Sequence, residues 1–419
     1  MSKEGVCAAA LLPYIHGVEK YDVIILGGGL VGQTLGIALS AHGLRAAIVD
    51  PMLPTVALAD DFDGRASAIA SASWRMLEAI GVAEALKPHG CQIYRIEVRD
   101  GIQKDALDFT TPDDDEPLGI MVENRIVRAA LREAALKAEH LTLHIPARAA
   151  HVDRGEAGVR VTLDDGTLLA APLLIAAEGR YSPTREAAGI KIAKWQYNDT
   201  AIISAFDHAK DHGNVAHEIF FPAGPFALLP LLPGTRSALV WTVSAKDAPG
   251  MLALSDRAFL AEVSKRTGGL LGDIKFAAPR SSYPLGFHHA AKITAERLAL
   301  VGDAGHGIHP IAGQGLNLGF RDVAALVEVL VDGARLGLDL GDPQLLARYE
   351  RWRSLDSLSI SVATDVLARL FAIPGKRARS VRRFGLGTVQ KLAPLKSLFM
   401  SEARGMSGAL PKLLQGVEV

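Results

Sequence analysis

The first strongly patterned stretch of the chain is an apolar run that stops at glycine. Tyr21 to Leu26 (YDVIIL) has the length and composition of a strand buried on both faces. The period then changes. Leu30 to His42 reads as a helix stopped by Gly43, and Ala46 to Asp50 as a second buried strand. A β-α-β unit packed this tightly predicts a parallel sheet. Ala66 to Ile80 reads as a helix with Gly81 as its C-cap, and Ile93 to Asp100 alternates like a half-exposed strand. Asn124 to Ala138 is an amphipathic helix. Val159 to Leu163 and Leu168 to Ala170 flank Asp164-Asp165-Gly166 as a hairpin, and Leu173 to Ala177 is again a buried strand.

From about residue 190 to 289 the pattern becomes one of short alternating runs punctuated by aromatics and prolines. Ala201 to Phe206, His217 to Phe221 and Ala238 to Val243 are examples, and they predict an antiparallel sheet in a second domain. Leu298 to Val301 returns to the buried parallel style. From about Gln314 the pattern is mostly helical.

Composition narrows the classes. The length of 419 residues suggests two or three domains, and 49% hydrophobic residues with a net charge of −1 exclude disorder. With 45 basic against 46 acidic side chains, no overall positive charge marks a nucleic-acid binder. Cys7 and Cys91 form no CxxC pair, which argues against a disulfide scaffold and fits a reducing compartment. A mean hydropathy of +0.19 is high for a soluble chain and hints at a greasy contact. The uncharged run Val23 to Ala41 has the length of a membrane span but carries five glycines, and the β-α reading accounts for it. The apolar patch Val6 to Ile15, behind Lys3 and Glu4, lacks a cleavage site and reads as a leader. Thr111 to Pro117 (TPDDDEP) reads as a solvated turn, because its prolines break any ligand geometry.

Two segments carry chemistry. Gly27-Gly28-Gly29-Leu30-Val31-Gly32 is a G-x-G-x-x-G between strand and helix. Its glycines permit a tight turn, a close pyrophosphate and close helix–strand packing. The helix N-terminus would face the diphosphate, and Asp50 could accept from ribose hydroxyls. This unit alone does not separate FAD from NAD. The second segment, Gly302 to Asn317, follows a buried strand and opens a long helix. Asp303 at the strand end can bind sugar-like hydroxyls, and Pro310 and Gly313 stiffen and bend the loop. The helix starting near Gln314 would aim N–H groups at an anion such as a reduced flavin. Asp303, His306 and His309 lack the helical spacing of metal ligands, so no metal is expected.

The fingerprint at Gly27 to Gly32, DGRASAI at Asp63 to Ile69, Glu123-Asn124-Arg125, Ala177-Glu178-Gly179-Arg180 and GDAGHGIHPIAGQGLNLGFRD at Gly302 to Asp322 occur in order. Together they resemble the class A FAD-dependent aromatic hydroxylases, most closely the branch acting on polyprenylated phenols in ubiquinone biosynthesis. The resemblance spans about residues 20 to 345. It implies an α/β fold: a Rossmann-like FAD-binding domain of the p-hydroxybenzoate-hydroxylase type, an antiparallel-sheet substrate domain and a C-terminal helical region. The expected division is a leader over 1–20 and a discontinuous FAD-binding domain over 21–85, 118–189 and 290–345. The substrate domain would take 86–117 and 190–289, and a helical basic region 346–419.

The resemblance also implies roles. Gly27, Gly29, Leu30, Val31 and Gly32 would bind the diphosphate and Asp50 the adenosine ribose. Arg65 and Arg125 would contact the ribityl and phosphate region, Asp303 the ribityl or diphosphate. Gly313, Gln314, Gly315 and Leu316 would line the isoalloxazine edge, with Pro310 in the same flavin-edge loop and Asn317 among the cofactor-binding positions. Glu178 and Gly179 stand where the family has Asp-Gly, a motif tied to FAD and nicotinamide contacts, and Asp50 stands where glutamate is usual. The implied chemistry is reduction of FAD by NAD(P)H or a protein electron donor, reaction with O2 to a flavin hydroperoxide, and oxygen transfer to a hydrophobic phenolic lipid. No catalytic base is identified; His217, His288 and His289 qualify only by lying in the substrate-domain stretch. Other readings are a flavin hydroxylase or epoxidase of another hydrophobic substrate, or a FAD-binding reductase or scaffold in a biosynthetic complex. From Val366 to Ser401 eight basic residues and no acidic one interleave with leucines and phenylalanines. Such a stretch suits an anionic membrane surface or a protein partner, or else a helical cap with a solvated basic face. The expected location is cytoplasmic, with peripheral membrane contact as an option.

Overall fold

Short apolar strands line up side by side at the centre of the first layer. Val23–Leu26 pairs in parallel with Ala46–Val49 on one side and Leu173–Ala176 on the other. Leu298–Leu300 and Leu141–His144 extend the sheet in parallel, and Thr294–Ala295 closes one edge antiparallel. All fifteen residues of the strands at 23–26, 46–49, 173–176 and 298–300 are buried, whereas the edge strand at 141–144 is looser. That is why they read as continuous apolar runs rather than alternating ones. The helices Leu30–Ala41, Asn124–Lys137 and Gln314–Arg335 pack with this sheet in one hydrophobic core.

This computed structural model describes residues 17–57, 61–102, 106–112, 115–308, 313–354, 357 and 393–419. Most of the expected leader, Pro310 and His309 in the flavin-edge loop, and the greater part of the basic stretch (Arg369 to Lys391) lie outside the described residues.

The second layer is an eight-stranded sheet. Its long strands, Ile192–His208 and Ile274–Ala290, run antiparallel beside Arg236–Ser244, Gly224–Leu231 and Val215–Phe221, and Arg95–Asp100 and Ala106–Thr110 at one edge and His306–Gly307 at the other complete it. One face carries Phe206, Leu228, Leu239 and Trp241 and is covered by the helix Asp256–Thr267 through Phe259 and Val263. The other face carries Ile96, Val98, Ala216, Leu229 and Ala238. It meets a three-stranded sheet of Ala66–Ala70, Gly119–Glu123 and Cys91–Ile93.

One element departs from the sequence expectation. Ala66 to Ile80 is not a single helix: Ala66–Ala70 is a strand and only Ser71–Ala79 is helical. The alanine-rich segment has good helix propensity, but five residues pair with Gly119–Glu123, and that ladder overrides a weak local preference.

Beyond the Ala393–Ala403 helix the chain returns to the first layer. Arg321 donates to the Ser407 carbonyl at 2.7 Å, and the Lys412 N–H donates to Glu328 Oε2 at 2.7 Å. Leu413 and Leu414 are fully buried in the core that holds Val23 to Leu26. The Val419 N–H donates to His42 Nε2 at 3.2 Å.

Candidate functional site

Because the central strands are parallel, their carboxyl ends emerge at one edge. Leu26, Ala176 and Leu300 are paired across the sheet, as are Leu26 and Val49. The residues that follow, Gly27, Ala177, Val301 and Asp50, therefore stand in one row. Ligands of open α/β sheets bind in the crevice outside these ends.

The fingerprint turn has the shape its glycines permit. Gly27 has φ +106°, and a Cβ there would collide with the Ala177 carbonyl. A Cβ on Gly32 would collide with the Gly27 carbonyl oxygen, so strand and helix could not approach. Gly29 faces open space, with nothing within 4 Å of where its Cβ would be. The Leu30–Ala41 helix has neither a side-chain N-cap nor an acidic residue in its first turn. Its terminal N–H groups and dipole are thus left for an anion. Val31 turns inward against Gly302 and Gly319, so only its backbone is available. Asp50 is half-buried; Oδ2 accepts the Gly28 N–H at 2.5 Å and Oδ1 the Met52 N–H at 2.7 Å. It shapes the turn and retains spare lone pairs for a hydroxyl.

Asp303 sits on the short turn Gly302–Ala304. Its side chain is reached by solvent but crowded by protein, and burial pushes its carboxyl above the usual range, with His306 and Arg180 pulling the other way. No described residue hydrogen-bonds this carboxylate. Its surroundings are those of an acid at the floor of a cleft, suited to accept from hydroxyls. The turn is held from behind. His288 Nε2 donates to the Asp303 carbonyl at 2.7 Å, and Arg185, almost fully buried, donates to the carbonyls of Ala304 and Arg180. Asp322 accepts from the Gly302 N–H at 2.9 Å, His306 Nε2 at 2.6 Å and Arg353 Nε at 2.7 Å, all buried. Burial opposes its ionisation, but His306 and Arg353 outweigh that and hold its carboxyl below the usual range.

The Gln314–Arg335 helix begins at Gly313 in the left-handed region (φ 62°), again with no side-chain cap and no first-turn acid. Gln314, Gly315 and Leu316 are half-buried in its first turn, and a Cβ on Gly315 would meet nothing within 4 Å. Asn317 is buried and faces the other way: its Oδ1 accepts the Ala70 N–H at 2.9 Å and its Nδ2 donates to the Ala68 carbonyl at 2.8 Å. It fixes the helix start to the 66–70 strand rather than lining an open edge.

Arg65 and Arg125 meet at one end of that strand pair, where Ala66 opposes Glu123. Arg65 is exposed and pairs with Asp63 at 3.5 Å; Arg125 pairs with Glu123 at 2.6 Å and lies over Phe62. Glu178 Oε2 accepts from Ser182 Oγ at 2.5 Å and from the Thr184 N–H at 3.2 Å, so its carboxylate fastens the start of the short Pro183–Ala187 helix. Gly179 (φ +79°) has open space above it. Sequence reasoning missed Arg185, Asp322 and Arg353. Only Asp322 had a signal, as the last residue of the Gly302 block.

Two uncapped helix starts, a glycine cradle, an unpaired carboxylate and two arginines fit a flavin dinucleotide. Residues 20–357 match the family model described as FAD binding domain. The chain is 44% identical to the ubiquinone hydroxylase UbiL of Rhodospirillum rubrum, over 94% of this chain and 93% of that one. It is 32% identical to the 3-demethoxyubiquinol 3-hydroxylase of Escherichia coli, over 93% and 99%. Among solved structures it resembles in fold p-nitrophenol 4-monooxygenase PnpA of Pseudomonas putida, with a TM-score of 0.77 at 18% identity over 93% of this chain and 99% of that one, and the probable FAD-dependent monooxygenase PqsL of Pseudomonas aeruginosa, with a TM-score of 0.73 at 21% identity over 84% and 97%. The chain belongs to the FAD binding domain family, among the flavin hydroxylases of ubiquinone biosynthesis that its motifs resemble.

Proposed function

We propose that this protein is an FAD-dependent monooxygenase that hydroxylates the aromatic ring of a polyprenylated phenol in ubiquinone biosynthesis. The observation that carries the reading is the near-full-length identity to a ubiquinone hydroxylase. The crevice with its two uncapped helix N-termini supports it. Bound FAD supplies the redox chemistry, in which one atom of O2 is transferred to an electron-rich ring.

The chain's own residues bind and orient. In this proposal the N–H groups after Gly29 hold the diphosphate, Asp50 the adenosine ribose, and Asp303 the ribityl hydroxyls. Arg65 and Arg125 neutralise phosphate charge from the opposite wall. The start of the Gln314–Arg335 helix places positive N–H groups where negative charge develops on the ring system. The apolar wall of the second sheet excludes water from the reacting ring. NAD(P)H or a protein donor is the reductant and O2 the co-substrate. Because the Glu178 carboxylate is committed to Ser182 and Thr184, the donor would be met by other groups near Gly179.

The test uses purified holoprotein, reductant, isotopically heavy O2 and a short-chain polyprenylphenol. The expected product carries one heavy oxygen on the ring, and deletion of the gene in its own host should accumulate the corresponding unhydroxylated precursor. O2 uptake with no ring product from any polyprenylphenol, and no precursor in the deletion strain, would overturn the reading. No helix among the described residues is long and apolar enough to cross a membrane. Contact with a lipid surface through the basic stretch around Arg377 to Arg383 belongs to the proposal. Flotation with anionic liposomes, lost when that stretch is neutralised, is the expected result.

A further inference from the structure

In the row that crosses the middle of the second sheet's inner face stands one acid, Glu218; Asp100 lies one row on, and Asp199 and Asp207 lie on the same face towards the ends of their strand. Strand register places Val98, Glu218, Ala227, Val240 and Ile203 side by side across five strands, so all five side chains leave the same face. The next row on that face, Ile96, Ala216, Leu229 and Ala238, packs into the cluster that includes Phe62, Ala66 and Ala68. Ala68 in turn faces Gly313, at 3.5 Å from where a Cβ on that glycine would be. The wall bearing Glu218 is therefore continuous with the start of the Gln314–Arg335 helix. Ile96, Val98, Glu218, Leu229 and Val240 are all partly reached by solvent, whereas Leu228, Leu239 and Trp241 on the opposite face are sealed. At these positions the inner face is partly open where the outer face is sealed. In the row through Glu218 the other four side chains, Val98, Ala227, Val240 and Ile203, are apolar.

We propose that Glu218 is the residue that receives the ring hydroxyl of the phenolic substrate, accepting its proton so that the ring reacts as the phenolate. The assignment rests on the proposed function above. The proton passes from the phenol oxygen to a Glu218 carboxylate oxygen, leaving a neutral acid and an electron-rich ring. The same proton can return to the product oxygen afterwards, so the step balances without another reactant. Burial alone pushes the Glu218 carboxyl up to about 7, which suits a base exchanging protons near neutrality. The other titratable or charged groups facing this wall are Asp100 on the neighbouring strand, the Arg236–Asp207 ion pair towards the sheet's end, Asp199 and Tyr283 across the sheet, and Cys91 in the layer beneath. Burial raises the last three as well, which keeps them protonated or, for Asp199, less acidic than usual.

The experiment compares wild type, Glu218→Gln and Glu218→Asp as FAD-loaded proteins, following ring hydroxylation of a short-chain polyprenylphenol from pH 5 to 9. In wild type the rate should rise with pH through a limb near 7. Glu218→Gln should lose that limb and at least about a hundredfold in kcat, while visible absorption shows FAD still bound. Removing a buried charge leaves the fold at least as stable, so an unchanged Tm is expected and separates chemistry from unfolding. Glu218→Asp should restore part of the limb. Hydroxylation by Glu218→Gln within about twofold of wild type, with the limb intact, overturns the assignment while leaving the proposed function standing. Absence of product from wild type overturns the proposed function, and the assignment with it.

Discussion

Gly32 and Asp322 show how single residues set the cleft from opposite sides. Gly32→Ala would drive a methyl into the Gly27 carbonyl, so the turn must open. The expected outcome is protein that purifies without its yellow colour, read by visible absorption after adding FAD. Asp322→Asn removes the charge between His306 and Arg353. Losing the carboxylate that faces buried Arg353 and His306 should cost about 3–5 kcal/mol at pH 7, measured by urea unfolding. The sign of the pH dependence follows from the lowered carboxyl. A folded pKa below the unfolded value of about 3.9 gives stability that is complete above that value and lost as pH falls through the folded one. The wild-type and Asp322→Asn stabilities should therefore converge in acid; a gap that stayed constant would contradict this. At this scale the sequence was least informative about Glu218. Between His217 and Ile219 it reads as an ordinary solvent-facing position of an alternating strand. Its pairing with Val98, 120 residues earlier, is what turns it inward.

Elements were legible where burial imposed its own period. The strands at 23–26, 46–49 and 173–176 and the helix at 30–41 stand within two residues of their expected limits, because a strand covered on both faces must be apolar throughout. The Ala66–Ala70 strand was not legible. Alanine suits either state, and the choice is made by a partner strand 50 residues away. That strand matters for the cleft because Asn317 docks on it. Asn317→Ala would leave the Ala70 N–H and Ala68 carbonyl without their side-chain partner, at about 1–3 kcal/mol for each group. We expect a lower urea midpoint and faster loss of FAD on dilution. Unchanged FAD retention would mean the helix start is held by other contacts.

At the scale of the whole molecule, the high mean hydropathy is accounted for in two ways. Much of it lies in the first-layer core, and part lines the inner wall of the second sheet. The near-zero net charge hid a basic stretch whose two flanks, at Ser357 and at the Ala393–Ala403 helix, are both tied to the body. The return of the chain after that helix could not be read from its composition, since a Leu-Leu pair is unremarkable until a core receives it. Leu414→Ala should cost about 2–5 kcal/mol, and thermal melting followed at the FAD absorption band would register it as early release of cofactor.

The burial of Leu413 and Leu414 beside Val23 to Leu26 also has a meaning in time. A ribosome releases the fingerprint strand nearly four hundred residues before the leucines that seal its core. A domain closed by such distant contacts is slow to fold, because the long loop must be brought together before the contact stabilises it. The nascent cleft must therefore wait, open and apolar, until synthesis has passed Leu414. Cofactor loading is then expected to follow the synthesis of Leu413 and Leu414.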